Sequence, residues 1–325
     1  MSAHQSHLEG IVVDVLGSAP IALTRFSCSL AELVTGQPAD AALGVMHYLK
    51  ADAGATRIKM ASGVEAIESE FEAMFAAARA DGAADAVAAA EDALECCRYV
   101  LHGAAGTSAK LFSNSPFPRD SDGGGLRADR KRASGEGMRL ADFCAAPESR
   151  LARLDPAHVA ALRIYTTAAF TAINRPLRDQ RRVQPHPLPT TVLFISEGIS
   201  RLRAVGAAEE GANVELDLWR GLKDMAASEA FLANGGTELA PMSTTKSLRV
   251  AVQYAASDHP MLIKLRTDTF MVRGASIGWL SAFPAESETL YPPLTYLKPT
   301  GRAEDVEAGS RLFTVIEVKP HFGSA

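Results

Sequence analysis

Hydrophobic residues in the first third of the chain recur at helical spacing. One run begins at Ser62, with Glu65 completing a capping box, and ends at Asp81-Gly82. Its apolar positions lie on one helical face: Val64, Ile67, Phe71, Met74 and Phe75. A second run of this kind leads to Gly103. The pattern predicts two helices that pair as an antiparallel hairpin.

The second half of the chain changes from helical to alternating patterning. Asp155-Pro156 is a helix cap followed by a first-turn proline, and it predicts a helix start. Further helices are predicted over 167–175, before Pro176, and over 190–205, before Gly206. Strands are predicted at 214–219, 261–265, 288–291 and 312–318. Helices followed by strands predict an α+β fold.

Composition divides the chain into three parts. Gly, Ser, Pro and Arg dominate residues 103–137, which is typical of a linker or a mobile loop. We therefore expect a helical region over 1–102, a linker over 103–137 and a second folded domain over 138–325. The helical region could inhibit the second domain, recruit a target or act as a stabilising cap. The linker, with its basic run at 127–132, could be a moving arm, a disordered spacer or an automodification site.

Charge and cysteine usage exclude several classes of protein. A formal net charge of -5 argues against a nucleic-acid-binding face. The apolar run over 11–23 is interrupted by Asp14, Gly17 and Pro20, so neither a membrane span nor a signal peptide is expected. The four cysteines have no metal-ligand spacing, and we expect reduced thiols and no metal. A cytoplasmic location follows as the default.

Candidate chemistry lies in three short motifs: Trp219-Arg220-Gly221, Ser243-Thr244-Thr245 and Glu286-Ser287-Glu288. Arg220 closes a predicted strand, where a planar guanidinium suits a diphosphate, and Gly221 allows a backbone or a ligand to come close. Taken singly, Arg220 could equally be a surface residue. The Ser-Thr-Thr hydroxyls could be the cap of a helix over 246–256.

The two glutamates of the third motif alternate along a predicted strand. Glu286 and Glu288 would then share one face about 7 Å apart, where mutual repulsion raises the pKa of one carboxyl group. Such a group could act as a base near neutral pH. The alternative is a solvated edge strand with paired acids.

The order of the three motifs resembles the R-S-E class of mono-ADP-ribosyltransferases, an arginine-modifying group that includes vertebrate ecto-enzymes and several bacterial toxins. The family's helical lead-in is similar to residues 162–167 and 173–178, and its catalytic loop and strand are similar to 283–292. The resemblance covers about residues 140–325. It implies a helical lead-in packed on a mixed two-sheet β core, with NAD⁺ as the substrate.

The resemblance implies that Arg220, beside Gly221, holds the phosphates and the nicotinamide ribose of NAD⁺. Ser243 would orient the catalytic glutamate through a hydrogen bond, and Thr244 and Thr245 would belong to the same NAD⁺ pocket. Many family members have Ser-Thr-Ser in this motif, whereas this chain has Ser-Thr-Thr. The third residue keeps its hydroxyl and gains a methyl group, which puts the fine geometry of the pocket in question.

By the same resemblance, Glu288 binds the ribose 2′-hydroxyl and stabilises the oxocarbenium-like transition state as nicotinamide leaves. Glu286 would orient and deprotonate the acceptor. Glu rather than Gln at this position favours an arginine acceptor, whose charged guanidinium is not a nucleophile. The implied activity is transfer of ADP-ribose from NAD⁺ to a protein arginine. The alternatives are NAD⁺ hydrolysis with water as the acceptor and a non-catalytic NAD-binding or regulatory protein.

Two aromatic residues have secondary roles in this hypothesis. Tyr254 matches an aromatic that stacks on nicotinamide in toxins of this class, although it could equally face the core. Phe283 lies where the loop before the catalytic strand often carries an aromatic that guides the acceptor, and simple packing of the loop is the alternative.

Overall fold

The computed structural model describes residues 30–35, 63–103, 138–179, 182, 184–206, 213–308 and 311–322. Its helices are α1 (Leu30–Thr35), α2 (Gly63–Asp81), α3 (Ala84–His102), α4 (Leu140–Cys144), α5 (Pro147–Leu151), α6 (Pro156–Tyr165), α7 (Phe170–Arg178), α8 (Pro189–Gly206), α9 (Glu229–Asn234) and α10 (Leu248–Ala255). Its strands are β1 (Leu216–Leu222), β2 (Gly236–Glu238), β3 (Met242–Thr245), β4 (Met261–Thr267), β5 (Ala275–Ser276), β6 (Glu288–Tyr291), β7 (Thr295–Ala308) and β8 (Arg311–Phe322). Eight of these ten helices precede the first described strand, so the predicted α+β class is confirmed.

Helices α2 and α3 form the predicted antiparallel hairpin. The Arg98 guanidinium lies 2.7 Å from the Glu72 carboxylate, and His102 Nε2 lies 2.9 Å from Glu68 Oε2, so one helix ascends as the other descends. Gly103 caps the C-terminus of α3. Its φ of 62° is the left-handed conformation that glycine adopts easily at a helix end. The predicted cap at Ser62 lies outside the described residues.

The hairpin packs into the same hydrophobic core as the helices of the second half. Ile67, Phe71 and Tyr99 of the hairpin share one cluster of buried residues with Leu162 of α6 and Ile195 of α8. α6 begins as predicted, with the Asp155 side chain capping it and Pro156 in its first turn. The two helical segments therefore form one packed layer.

Helix α7 differs from its predicted span of 167–175. It extends over Phe170–Arg178 and contains Pro176. Proline lacks the backbone N–H and so removes one hydrogen bond of the helix. The last turn still closes, because the Asp179 amide donates to the Arg175 carbonyl at 3.1 Å. This extension carries Arg178 on the helix, and Arg178 reaches the sheet.

The eight described strands form one mixed sheet in the order β2-β7-β8-β4-β1-β3-β6-β5. Only β4 and β8 among them pair in parallel. The contact between β1 and β3 is narrow, with Trp219 opposite Thr245 as its single register pair. The two-sheet core that was expected is therefore present as two halves joined at one narrow junction, which we call the sheet junction.

Other expectations fall outside the described residues or need adjustment. Residues 104–137, which make up nearly all of the predicted linker, are not among the described ranges. The division into domains thus stays a prediction. Among the described residues, no helix is long and apolar enough to cross a membrane.

Candidate active site

The site begins with the pairing of β3 and β6 beside the sheet junction. These strands are antiparallel, with Thr245 opposite Glu288 and Ser243 opposite Leu290. Ser243 and Thr245 lie two residues apart on β3, so their side chains leave the same face of the strand. The Ser243 hydroxyl donates a hydrogen bond to Glu288 Oε1 at 2.6 Å. Strand pairing therefore orients this carboxylate.

Glu288 is almost withdrawn from solvent, with 7% of its surface exposed. Burial raises the pKa of its carboxyl group to about 7, and the negative charge of Glu286 adds to the rise. The hydroxyls of Ser243 and Ser281, the latter 3.4 Å from Oε2, act in the opposite direction. A raised pKa was expected for one of the two glutamates, but burial rather than mutual repulsion is its main cause.

Glu286 does not lie on the strand, which corrects the prediction that both glutamates share one strand face. It ends a one-turn 3-10 helix, Pro284–Glu286, and Ser287 follows with a φ of 49°. This left-handed residue turns the chain just before β6, so the two-residue period of a strand does not apply. The Tyr254 hydroxyl donates to Glu286 Oε1 at 2.7 Å. The Thr245 hydroxyl donates to the Glu286 carbonyl at 2.6 Å.

Ser243-Thr244-Thr245 forms strand β3 and does not cap the following helix. That helix, α10, starts at Leu248, and its cap is Ser247, whose hydroxyl accepts from the Val250 amide. The hydroxyl of Thr244 instead donates to the Thr289 carbonyl of β6 at 2.8 Å. All three hydroxyls of the motif thus connect β3 with residues 286–289.

Arg220 lies inside β1, where the sequence placed it at the end of a strand. The pairing of β1 with β4 continues past the arginine to Leu222, which lies opposite Met261. Its guanidinium donates from Nη1 to the Ser243 carbonyl at 3.3 Å. Its Nη2 lies 3.6 Å from Glu238 Oε2, and 15% of its side chain is exposed. Burial lowers the pKa of Arg220.

The structure adds Glu238 and Arg178, which the motifs did not identify as site residues. Glu238 is 1% exposed and accepts two hydrogen bonds from Arg178, at 2.9 and 3.0 Å. One carboxylate therefore holds Arg178 and contacts Arg220, and the cluster keeps one unbalanced positive charge. Glu229 and Glu238 are the two charged residues in the stretch 225–245. An acid in so uncharged a segment was the sequence signal that could have identified Glu238.

Tyr165 and Asn174 connect the helical layer to β3. The Tyr165 hydroxyl donates to the Pro241 carbonyl at 2.7 Å, and Asn174 Nδ2 donates to the Tyr165 oxygen at 3.2 Å. Pro241 directly precedes β3, so these bonds set the start of the strand that carries Ser243. Both residues belong to the segments that matched the family's helical lead-in.

Two expected site residues have packing roles. A Cβ on Gly221 would lie 2.1 Å from the Ala251 carbonyl oxygen, so the close approach that this glycine permits is that of α10. Phe283 is 6% exposed and belongs to the helical core cluster. Its position favours loop packing over guidance of an acceptor.

No group of three or more His, Cys, Asp or Glu side chains within the described ranges could hold a metal ion. Cys96, Cys97 and Cys144 are free thiols. The polar groups described in the site are carboxylates, guanidinium groups and hydroxyls.

Comparison with known proteins finds solved structures of similar fold, ADP-ribosyltransferases among them. No family model and no curated protein matches the chain. The ADP-ribosyltransferase HopU1 of Pseudomonas syringae pv. Tomato DC3000 is similar in structure, with a TM-score of 0.42, 18% identity and coverage of 71% of this chain and 97% of that one. The toxin Plx2a from Paenibacillus larvae has a TM-score of 0.41 and 14% identity over 56% of this chain and 95% of its own.

C3stau2 from S. aureus, solved with NAD, has a TM-score of 0.35 and 16% identity, covering 55% of this chain and 93% of its own.

Proposed function

We propose that the protein is a mono-ADP-ribosyltransferase, which transfers ADP-ribose from NAD⁺ to a protein arginine and releases nicotinamide. The proposal rests on the buried carboxylate of Glu288, which is held by Ser243, a residue that also contacts Arg220 near the sheet junction. Ser243 makes this link, because its hydroxyl binds Glu288 and its carbonyl accepts from Arg220.

The arginine side of the site suits a diphosphate. Arg178 and Arg220 are both largely buried, and Glu238 balances only one of their two charges. An anion with several oxygens can accept paired N–H donors from such groups and supply the missing negative charge. The NAD⁺ diphosphate has this chemistry.

Glu288 supplies the charge for the chemical step. In its ionised form it would accept a hydrogen bond from the ribose 2′-hydroxyl and stabilise the positive charge that develops at C1′. The C1′–nitrogen bond breaks and its electron pair leaves with nicotinamide, whose ring nitrogen thereby becomes neutral. Low exposure strengthens this electrostatic effect, since few water molecules screen the carboxylate.

In the proposed reaction Glu286 would act on the acceptor. A nitrogen of the arginine would bond to C1′ from the opposite face, with inversion, while the proton of that nitrogen passes to the Glu286 carboxylate. An arginine needs this help because its guanidinium is protonated in water. The position of Glu286 on a turn, two residues before Glu288, keeps the two carboxyl groups in one site with different surroundings.

The experiment that tests the proposal measures nicotinamide release and transfer to agmatine, a small arginine analogue, from the same reactions. Glu288→Ala is expected to lower nicotinamide release on the order of 10³-fold. Glu286→Gln should abolish transfer to agmatine but leave some NAD⁺ hydrolysis, because bond cleavage does not require the acceptor base. Unchanged release from the Glu288→Ala protein would refute the mechanism.

Glu304→Gln on β7 serves as the matched control, since this glutamate is exposed and lies outside the site. Wild-type protein that releases nicotinamide but modifies neither agmatine nor any protein would be an NAD⁺ hydrolase. Absence of both products would favour a non-catalytic NAD-binding protein.

A further inference from the structure

The backbone carbonyl and the side-chain carboxylate of Glu286 both accept hydrogen bonds from the segment 245–254, which joins β3 to α10. The Thr245 hydroxyl donates to its carbonyl at 2.6 Å and accepts from the Ser247 amide at 3.0 Å. The Tyr254 hydroxyl, from the last turn of α10, donates to its carboxylate at 2.7 Å. The backbone and the side chain of Glu286 are therefore both tied to the β3–α10 segment, the side chain through the hydrogen bond from the Tyr254 hydroxyl.

We propose that Tyr254 is a positioning residue for Glu286, and that its hydroxyl sets the partition between ADP-ribose transfer to arginine and hydrolysis of NAD⁺. This inference rests on the proposed function and assigns Tyr254 a role beyond contact with nicotinamide. The hydroxyl acts on the acceptor half of the reaction, and the ring remains available to the NAD⁺ half.

The need for such a tie follows from where Glu286 lies. It closes a one-turn helix and precedes a residue with a φ of 49°, so the regular hydrogen bonds of β6 do not include it. A glutamate side chain has three rotatable bonds, and a partly exposed one samples several rotamers. A hydrogen bond to one carboxylate oxygen selects among these rotamers, and a charged acceptor makes that bond strong.

Orientation matters more for transfer than for cleavage. Transfer requires the carboxylate to meet the arginine proton while the nitrogen approaches C1′, and small misplacement in such a step is costly. Cleavage of the nicotinamide bond depends on Glu288, whose hydrogen bonds come from Ser243 and Ser281. Water can then react where the arginine is badly placed. Loss of the phenol hydroxyl should thus shift product from modified arginine towards free ADP-ribose.

The test is Tyr254→Phe, which keeps the ring and removes only the hydroxyl. We expect kcat for transfer to agmatine to fall about tenfold, as for loss of a hydrogen bond to a charged group. The KM for NAD⁺ and total nicotinamide release should stay within about twofold of wild type, because the ring and Glu288 are unchanged. In the Glu286→Gln background, Tyr254→Phe should have no further effect on the partition.

Tyr296→Phe is the matched control, since the Tyr296 hydroxyl, on β7, donates to the Asn234 carbonyl at the end of α9. A raised KM for NAD⁺ with an unchanged partition in Tyr254→Phe would assign the residue to NAD⁺ binding and overturn the inference. An unchanged partition with unchanged KM would overturn it as well. Failure of the proposed function is distinguishable, because it would appear in wild type and Glu288→Ala as absent or Glu288-independent nicotinamide release.

Discussion

Glu70 in the helical layer and Glu288 in the sheet both have a raised pKa because burial disfavours the charged form. Glu70 lies at the N-terminus of α8, where its carboxylate accepts from the backbone amides of Thr190 at 2.6 Å and Thr191 at 3.0 Å. It also accepts from the Thr191 hydroxyl at 2.8 Å. Glu70 thus acts as a cap supplied by α2 for another helix.

The Glu288 carboxylate instead accepts from side-chain hydroxyls, those of Ser243 and Ser281. Both hydroxyls can turn towards a ligand, whereas amides in the first turn of a helix cannot. A raised carboxyl pKa therefore does not by itself mark a catalytic group. The kind of donor that faces the carboxylate separates a group used for folding from one available for chemistry.

The largest effect is expected from deleting residues 1–103, the segment that contains Glu70. The deletion removes Glu70 together with Ile67, Phe71 and Tyr99, which are fully buried in the core shared with α6 and α8. We expect the remaining chain to lose its cooperative thermal transition and its near-ultraviolet circular dichroism. A folded fragment with full nicotinamide release would show that the sheet region does not depend on the hairpin.

A graded form of that experiment compares two single substitutions. Phe71→Ala should lower the free energy of unfolding by about 3–5 kcal/mol, because its side chain is fully buried. Leu151→Ala, at a side chain that is 68% exposed, should change it by less than about 0.5 kcal/mol. Equal effects would mean that the hairpin does not pack as described.

Exchanging each glutamate for glutamine should separate the two roles. Glu288→Gln is expected to lower nicotinamide release on the order of 10³-fold, whereas Glu70→Gln should leave release per folded molecule unchanged. Glu70→Gln should lower the free energy of unfolding by about 1–3 kcal/mol, because the glutamine NH₂ cannot accept from an α8 amide. Loss of release in Glu70→Gln without loss of stability would reverse the assignment.

Glu288→Gln has an expected effect on stability as well. A carboxyl group whose pKa rises from 4.5 to about 7 on folding favours the native state below pH 4.5, and this contribution is lost as pH rises through about 7. The glutamine variant should therefore melt at a higher temperature than wild type at pH 8 and at about the same temperature at pH 4. Thermal unfolding at the two pH values measures this difference.

The pH dependence of the reaction is a further test of Glu288, with a smaller expected effect. Glu288 must be ionised to act, so kcat/KM for nicotinamide release should fall about tenfold per pH unit below about 7. The positive charge of bound NAD⁺ favours the carboxylate, so the acid limb of kcat should lie at a lower pH than that of kcat/KM. A flat kcat/KM profile between pH 5.5 and 8 would exclude Glu288 as the ionising group.

Local sequence signals predicted much of this fold. The start of α6 follows from Asp155-Pro156, and β6 covers the predicted span 288–291, because caps and two-residue alternation depend on neighbours in the chain. Arg220, Ser243 and Glu288 were named through the resemblance to the R-S-E class, and in the structure Ser243 hydrogen-bonds both of the others.

The remaining features depend on contacts between distant residues. Glu238 meets Arg178 from 60 positions away, and no local pattern encodes that ion pair. Glu286 leaves the strand because Ser287 adopts a positive φ, which is uncommon for serine and is not visible in alternation of polar residues. The hydrogen bond from Tyr254 to Glu286 joins residues 32 positions apart, so the sequence could offer only contact with nicotinamide or packing in the core for Tyr254.

The smallest effect expected is a difference between the two hydroxyls that face Glu288. Ser243 donates at 2.6 Å and Ser281 at 3.4 Å, and both bonds lower the pKa of the carboxyl group. Ser243→Ala should move the acid limb of kcat/KM upward by about one pH unit, as for loss of a hydrogen bond to a charge. Ser281→Ala should move it by only a few tenths of a unit, because a bond of that length is weak.

Equal shifts of the acid limb in the two alanine variants would contradict this prediction. They would show that the length of the hydroxyl contact does not control the ionisation of Glu288. A larger displacement from Ser281→Ala would place the main donor on the loop before Glu286 rather than on β3. The pH at half-maximal kcat/KM, measured for both variants and wild type under one ionic strength, decides between these outcomes. The expected order ties the function of Glu288 to donors that hydroxyl rotation can release, in contrast to the fixed amides that hold Glu70.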